Sequence, residues 1–118
     1  MPGQPNLSNT LLLLSREGMG SADSPLQHDL LGKYLRLLLD KDTLPTAVCF
    51  YTEGVKLVVT GSPFLERLAQ LEARGVRLIV CATCLNYYGL LDQVEVGVIG
   101  SMDDILSAQL QADKVITL

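Results

Sequence analysis

The chain has 118 residues, of which 48% are hydrophobic and 19% are charged, and its formal net charge is -4. This length predicts one domain, and the composition is typical of a globular domain rather than a disordered chain. The acidic balance excludes the basic surface of a nucleic-acid-binding protein. No apolar run approaches the roughly 18 residues of a membrane span, so we expect no membrane segment.

Residues 1–9 combine two prolines, a glycine and amide side chains without an apolar run. We therefore expect a flexible lead-in there and a single domain over residues 10–118. The start of the chain lacks the basic and apolar regions of a secretory signal. Three cysteines cannot complete a disulfide framework, and we interpret them as free thiols in a reducing cytoplasm.

The sequence of the first half of the domain predicts two strands with a long helix between them. The apolar runs at residues 10–15 and 47–52 predict strands, the second of them covered on both faces. Between them, leucines at helical spacing predict a helix with a wide buried face. Its N-cap has two candidates. With Ser24 as the cap, the following proline suits the first helical position and Gln27 completes a capping box; Asp23 is the competing cap.

The second half of the domain continues the alternation of strands and helices. Residues 55–59 fit a helix or an extended segment equally, and a helix then begins at Ser62-Pro63 and ends at Gly75. A strand over 76–81 and a short helix over 83–89 follow, and a fourth strand runs through Val94, Val96 and Val98 with an interruption at Gly97. Ser101 opens the last helix, with Ile105, Leu106 and Leu110 inward, and residues 114–118 form a closing strand. Parallel strands need crossover connections, which these helices supply. The sequence predicts an α/β fold: a single-domain, five-stranded, mainly parallel sheet with helices on both faces.

The motif Cys81-Ala-Thr-Cys84 places two thiols where the third predicted strand meets the short helix. Ligands bind at the carboxyl ends of strands in open α/β sheets. With Thr83 as the N-cap, Cys84 becomes the first helical residue, where the partial positive charge of the helix lowers a thiol pKa. The spacing indicates sulfur or redox chemistry. A pair of small, half-buried and inert cysteines fits the same pattern.

Metal binding and thioredoxin-like chemistry have weaker support. Structural zinc needs four ligands, whereas the chain offers one CxxC motif, a distant Cys49 and a distant His28. We therefore predict no metal site within one chain, although two chains could pool their cysteine pairs. A thioredoxin-like motif follows the first strand and opens a long helix, and this one does not. We interpret Cys49 as a core residue and His28 as a solvated one, which leaves no histidine base.

Two further loops follow strands at the same predicted edge of the sheet. Residues 18–20 read Gly-Met-Gly and residues 52–54 read Thr-Glu-Gly. The first loop lacks the third glycine of a dinucleotide fingerprint and the Lys-Ser/Thr of a P-loop, so no cofactor is predicted. Both loops fit ordinary turns that use glycine for backbone freedom, and they fit equally a convergence on the thiols. On the second interpretation the candidate substrate-binding residues are Met19, Gly20, Glu53, Gly54 and Thr83.

An ordered set of short motifs runs through almost the whole domain. Its members are Met19-Gly20, Leu44-Pro45, Gly54-Val55-Lys56-Leu57, Gly61-Ser62-Pro63, Cys81-Ala82-Thr83-Cys84-Leu85, Tyr88-Gly89 and Ala112-Asp113-Lys114-Val115-Ile116. This set resembles the DsrE-like sulfur-relay superfamily over about residues 10–118, and most closely the C-terminal domain of the YedF-type selenium-metabolism proteins. Ala22 and Gln27 stand where that pattern usually has glycine, and the resemblance does not extend to the N-terminal carrier domain of full-length YedF-type proteins.

The resemblance implies a sulfur or selenium carrier, similar to a sulfurtransferase, that assembles as a homo-trimer or homo-hexamer. It implies that Cys81 accepts sulfane sulfur as a persulfide and that Cys84 is the partner thiol that resolves it. Helix-dipole reasoning alone favours the opposite division, because Cys84 lies nearer the helix start. The implied partners are sulfur donor and acceptor proteins, such as a TusA/SirA-like carrier. The alternatives are a non-catalytic ligand-, metal- or partner-binding oligomeric module and a small thiol–disulfide redox protein.

Overall fold

Strands and helices alternate through the computed structural model, which describes residues 6–118; residues 1–5 of the predicted lead-in lie outside the described residues. The elements are β1 (Thr10–Leu14), α1 (Ser24–Asp40), β2 (Ala47–Phe50), a 3-10 helix (Thr52–Val58), α2 (Leu65–Ala73), β3 (Arg77–Cys81), α3 (Ala82–Tyr87), β4 (Val98–Gly100), α4 (Met102–Gln111) and β5 (Lys114–Thr117). Within residues 6–118, none of the helices has both the length and the apolar character needed to span a bilayer.

The five strands form one sheet in the order β4-β3-β2-β1-β5, and all four pairings are parallel. This arrangement confirms the predicted α/β class. All residues of β1 and β2 are buried, as expected for strands covered on both faces. Helices α1 and α2 pack against each other and so share one face. The connection from β4 to β5 returns across the whole sheet, and the right-handed crossover rule places α4 on the opposite face.

The start of α1 differs from the predicted capping box. Asp23 is the N-cap, so Ser24 is the first helical residue and no side chain caps the helix. The side-chain amide of Gln27 donates instead to the Gly20 carbonyl oxygen at 3.0 Å. The capping box does not form, because the loop before α1 folds back onto the helix and its Gly20 carbonyl oxygen accepts the hydrogen bond of the Gln27 side chain. Helix α1 buries Leu31, Leu35, Leu38 and Leu39 and leaves Leu26, Leu30 and Leu37 exposed, so its buried face is narrower than predicted.

Helices α2 and α4 begin within three residues of the starts that the sequence predicts. Helix α2 begins at Leu65 rather than at the Ser-Pro pair, because the Ser62 hydroxyl accepts the Phe64 N–H at 3.1 Å in a turn that precedes the helix. Ser101 caps α4 as predicted, and with Asp104 it forms a capping box. Leu106 and Leu110 of α4, predicted to point inward, are exposed.

The fourth strand is shorter and later than its valine pattern predicts. Val94 forms only an isolated antiparallel bridge with Val59, and β4 begins at Val98. Gly97 causes the difference, because its φ of +88° lies in the left-handed region and turns the chain between the two segments. A Cβ there would also lie 3.1 Å from the Leu78 Cβ.

Gly54 closes the second loop against the end of β1. A Cβ at this position would lie 2.0 Å from the Leu14 carbonyl oxygen, an oxygen that also accepts the Tyr51 N–H at 3.2 Å. The Leu14 carbonyl cannot move away freely, because it belongs to the paired strand β1 and accepts the Tyr51 N–H. Only glycine allows this approach, so the close packing accounts for Gly54 without any ligand.

We predict that Gly54→Ala lowers the free energy of unfolding by about 2 kcal/mol, since an added methyl group must displace backbone. Gly32→Ala in α1 is the matched control: the nearest atom to an added Cβ is 3.4 Å away, and alanine raises helix propensity by up to about 1 kcal/mol. Urea denaturation of both variants and the wild type measures the difference. Equal stability of Gly54→Ala and the wild type would contradict the packing account.

Candidate functional site

The two cysteines of the CxxC motif occupy the junction between β3 and α3. Cys81 ends β3, where it pairs with Gly100 of β4, and it is also the N-cap of α3. The predicted cap was Thr83, which is instead the second helical residue because the chain becomes helical directly after the strand. Cys84 is consequently the third helical residue and not the first. Cys81 is 1% exposed, whereas Cys84 is half-buried and Thr83 is exposed.

Neither thiol belongs to a disulfide, and Cys81 lies close enough to Cys84 to raise the pKa of the Cys84 thiol. Burial raises the pKa of the Cys84 thiol; a backbone N–H bond from Thr52 opposes this shift, and the Cys81 thiol adds to it. The Thr52 nitrogen lies 3.0 Å from the Cys84 sulfur. Cys84 is therefore a half-buried thiol with one donor for its anion and a second sulfur beside it.

Thr52 supplies that donor from an uncommon backbone conformation. Its φ is +47°, a region that β-branched residues rarely adopt. Its hydroxyl lies 2.6 Å from the Ser15 carbonyl oxygen and 2.7 Å from the Tyr51 carbonyl oxygen. Sequence reasoning missed Thr52, because nothing in its residue type signals a left-handed conformation. Its position directly after β2, at the edge that also holds the thiols, was the available signal.

The start of the first loop is joined to the second loop by the bond from the Thr52 hydroxyl to the Ser15 carbonyl oxygen. Its predicted substrate-binding residues make their hydrogen bonds to α1: the Met19 N–H donates to the Gln27 carbonyl oxygen at 3.1 Å, and the Gly20 carbonyl accepts the Gln27 side chain. Met19 is half-buried and packs on the core. The structure thus brings the second loop to the cysteine pair and ties the first loop to α1.

A charged cluster links the loops at this edge of the sheet. The Lys56 ammonium group lies 3.2 Å from a Glu17 oxygen and 3.7 Å from a Glu53 oxygen. It also lies 4.6 Å from the centre of the Tyr88 ring, which follows α3. The hydrogen bond with Glu17 raises the pKa of Lys56, so the cation is retained at neutral pH. Glu53, predicted to bind substrate, is exposed and engaged in this cluster.

The remaining sequence candidates lie apart from the pair. Cys49 is fully buried in β2, and burial raises the pKa of its thiol to about 11 against a smaller opposing effect of Arg77. His28 is half-buried rather than fully solvated, because its ring packs edge-on against Phe64 with centroids 5.3 Å apart. It borders a cavity of about 280 Å³ with Lys56. Over residues 6–118, no three His, Cys, Asp or Glu side chains are grouped as metal ligands.

Comparison with solved structures shows the same fold in two other proteins. The ychN protein from E. coli, known from a crystal structure, is 20% identical, with a TM-score of 0.68 over 92% of this chain and 98% of that chain. A protein of unknown function, MTH1491 from Methanobacterium thermoautotrophicum, is 19% identical, with a TM-score of 0.69 over 96% of this chain and 100% of that chain. No curated protein matches the chain.

The sequence also matches a family model, described as the DsrE/DsrF-like family, over residues 15–118. The matched segment starts just after β1 and includes both cysteines of the motif, the Thr52 loop and the Lys56 cluster. It covers most of the chain, and its fold agrees with that of the two structural neighbours. The chain therefore belongs to the DsrE/DsrF-like family.

Proposed function

We propose that the Cys81–Cys84 pair carries sulfane sulfur as a persulfide in a sulfur relay. Membership of the DsrE/DsrF-like family points to a role related to sulfur relay. The observation that supports this specific chemistry is the proximity of two free thiols at the carboxyl end of β3, one of them half-exposed and bonded to a backbone N–H. Such a pair has a nucleophile, a donor for its anion and a second thiol in reach.

The transfer needs no net oxidation. One cysteine thiolate attacks the outer sulfur of a donor persulfide, the donor leaves as a thiolate, and the sulfane sulfur is now bonded to this chain. An acceptor thiolate then attacks that outer sulfur and regenerates the cysteine thiolate. When no acceptor is present, the second cysteine attacks the inner sulfur, which releases sulfide and leaves a disulfide that a dithiol must reduce.

The resemblance assigns the accepting role to Cys81 and the partner role to Cys84. We propose sulfur donor and acceptor proteins as partners, including a TusA/SirA-like carrier, and selenium as an alternative cargo if the YedF-type relationship holds. Free thiols persist in a reducing compartment, which supports the cytoplasm as the location. Thr83 and Glu53 are exposed and remain candidates for contact with a docked donor.

A thiol–disulfide redox protein is the second candidate function, because two thiols in contact can also form a disulfide directly. The two functions differ in what the protein holds after reaction. Before its second thiol resolves the persulfide, a carrier holds an added sulfur atom, whereas a redox protein loses two hydrogen atoms and never gains sulfur. Intact mass distinguishes these outcomes.

Exposed apolar side chains support assembly into a homo-trimer or homo-hexamer. Helix α4 exposes Met102, Leu106 and Leu110, which recur every four residues and so share one side of the helix. The neighbouring edge strand β4 exposes Val98 and Ile99. Exposed apolar side chains in this number on a small domain are typical of an interface between protein chains. We propose that copies of this chain meet there.

Intact mass after incubation with a persulfide donor tests the carrier function. We predict that the wild type, alkylated at short times so that the persulfide is trapped before the second thiol resolves it, gains one sulfur atom that reducing agent removes. The variant with Cys81→Ser and Cys84→Ser keeps Cys49 and is the matched control; it gains none. A wild type that gains no sulfur, or a control that gains as much as the wild type, contradicts the proposal.

Brief alkylation with iodoacetamide tests whether the motif is the reactive part of the chain. We predict that Cys84 is labelled well before Cys49, because Cys49 has no exposed surface and a pKa of about 11. Since the pKa of Cys84 is also raised, its labelling rate increases steadily as the pH rises from 7 to about 9. Peptide mapping gives the order, and earlier labelling of Cys49 would exclude the assigned site.

Light scattering at micromolar concentration tests the assembly. We predict a trimer or hexamer for the wild type and a shift toward monomer for Leu106→Asp, since a carboxylate cannot be buried unpaired in an apolar interface. Ser107→Asp changes an exposed neighbour on another side of α4 and is expected to leave the mass unchanged. A monomeric wild type, or a Leu106→Asp variant of unchanged mass, would contradict the proposed interface.

A further inference from the structure

The cysteine pair is asymmetric in a way that the motif does not show. Cys81 is 1% exposed and lies at the start of α3, whereas Cys84 is half-buried. Among residues 6–118, Cys84 is the one of the two thiols whose sulfur accepts a hydrogen bond from a backbone N–H. An incoming donor must bring its outer sulfur into line with the attacking thiolate. The geometry of approach therefore favours the outer thiol.

We propose that sulfur enters the pair through Cys84, and that Thr52 is a positioning residue that holds its backbone N–H against the Cys84 sulfur. This inference rests on the proposed carrier function and reverses the division of roles that the resemblance implies. Cys81 becomes the resolving thiol, near the entry thiol and more deeply buried.

The conformation of Thr52 is what directs its N–H toward the sulfur. A φ of +47° costs free energy for a β-branched residue, so the surrounding structure must hold it. The hydroxyl proton is shared between the carbonyl oxygens of Ser15 and Tyr51, which follow β1 and β2. The close approach of Gly54 to Leu14 fixes the same loop two residues later. The N–H direction is thus set by two strands and does not depend on α3.

A donor N–H at 3.0 Å stabilises a thiolate more than a thiol. The titratable group that acts on Cys84 is the Cys81 thiol, while the nearby charges of Lys56 and Glu53 are paired with each other. The Thr52 N–H is therefore the stabilising influence on the Cys84 anion. Losing it raises the Cys84 pKa.

The reaction balances with these roles. The Cys84 thiolate attacks the outer sulfur of the donor persulfide, and the donor leaves as its thiolate. Cys84 now carries the added sulfur and passes it to an acceptor thiolate. Without an acceptor, Cys81 attacks the Cys84 sulfur and displaces hydrosulfide, which takes up the Cys81 proton. Two cysteine sulfurs are then oxidised to a disulfide and the sulfane sulfur is reduced to sulfide.

The positioning role is tested by the pH profile of Cys84 alkylation, measured with Cys81→Ser and Cys49→Ser in every variant. Thr52→Val removes the anchoring hydroxyl and keeps the side-chain shape. We expect it to raise the apparent pKa of Cys84 by about one unit, which lowers the thiolate fraction at neutral pH about tenfold. Thr52→Ser restores the hydroxyl and returns the profile toward that of the parent.

Thr52→Gly is a second variant should Thr52→Val fold poorly, because glycine adopts positive φ without strain. It lacks the anchoring hydroxyl, so the apparent pKa of Cys84 in this variant should lie between its values in Thr52→Val and in the protein that retains Thr52. Circular dichroism confirms that each variant is folded. A folded Thr52→Val or Thr52→Gly variant with the parent's profile would overturn the positioning role.

The entry role is tested by intact mass of single variants exposed to a persulfide donor. We expect Cys81→Ser to gain a sulfur that persists, because the resolving thiol is gone, and Cys84→Ser to gain none over the same time. The opposite pattern, or equal rates in the two variants, would overturn entry through Cys84 and leave the carrier function standing. Failure of both single variants, and of the wild type trapped at short times, to gain sulfur would remove the carrier function as well.

Discussion

The site depends on the parallel pairing of the three central strands. Leu14 of β1 lies opposite Phe50 of β2, which lies opposite Val80 of β3. Because these strands run in one direction and in register, the residues that follow them meet at one edge of the sheet. The Ser15 carbonyl, the Thr52 N–H and the cysteine pair come from those three consecutive strand ends. A shift of one residue in either pairing would reverse the faces of the strand and separate these groups.

Local chemistry then fixes how the strand ends meet. The second loop lies tightly on β1, because Gly54 allows its backbone to approach the Leu14 carbonyl oxygen and Thr52 bonds to Ser15. Lys56 ties the same segment to the first loop and to Tyr88 after α3. The loops are therefore held by backbone packing and by one retained cation. The cysteine pair is therefore the part of this edge of the sheet that can react with a partner.

The fold was predictable from the sequence because strands and helices alternate with clear breaks, and because the family motifs run in order through the domain. The thiol pair was predictable for the same reason, since Cys81 ends a strongly apolar run. Thr52 was not, because a β-branched residue with φ of +47° opposes its own local preference and is held there by tertiary bonds. The start of β4 was not predictable either, because the turn at Gly97 breaks a regular valine pattern.

The central claim is that sulfane sulfur binds covalently to the CxxC pair. Its most direct measurement is peptide mapping of the wild-type protein after brief reaction with a donor that carries a heavy sulfur isotope, with persulfides trapped by alkylation. The account predicts the heavy atom on the peptide that contains Cys81 and Cys84, attached to Cys84. Heavy sulfur on Cys49, or on none of the three cysteines, would contradict it.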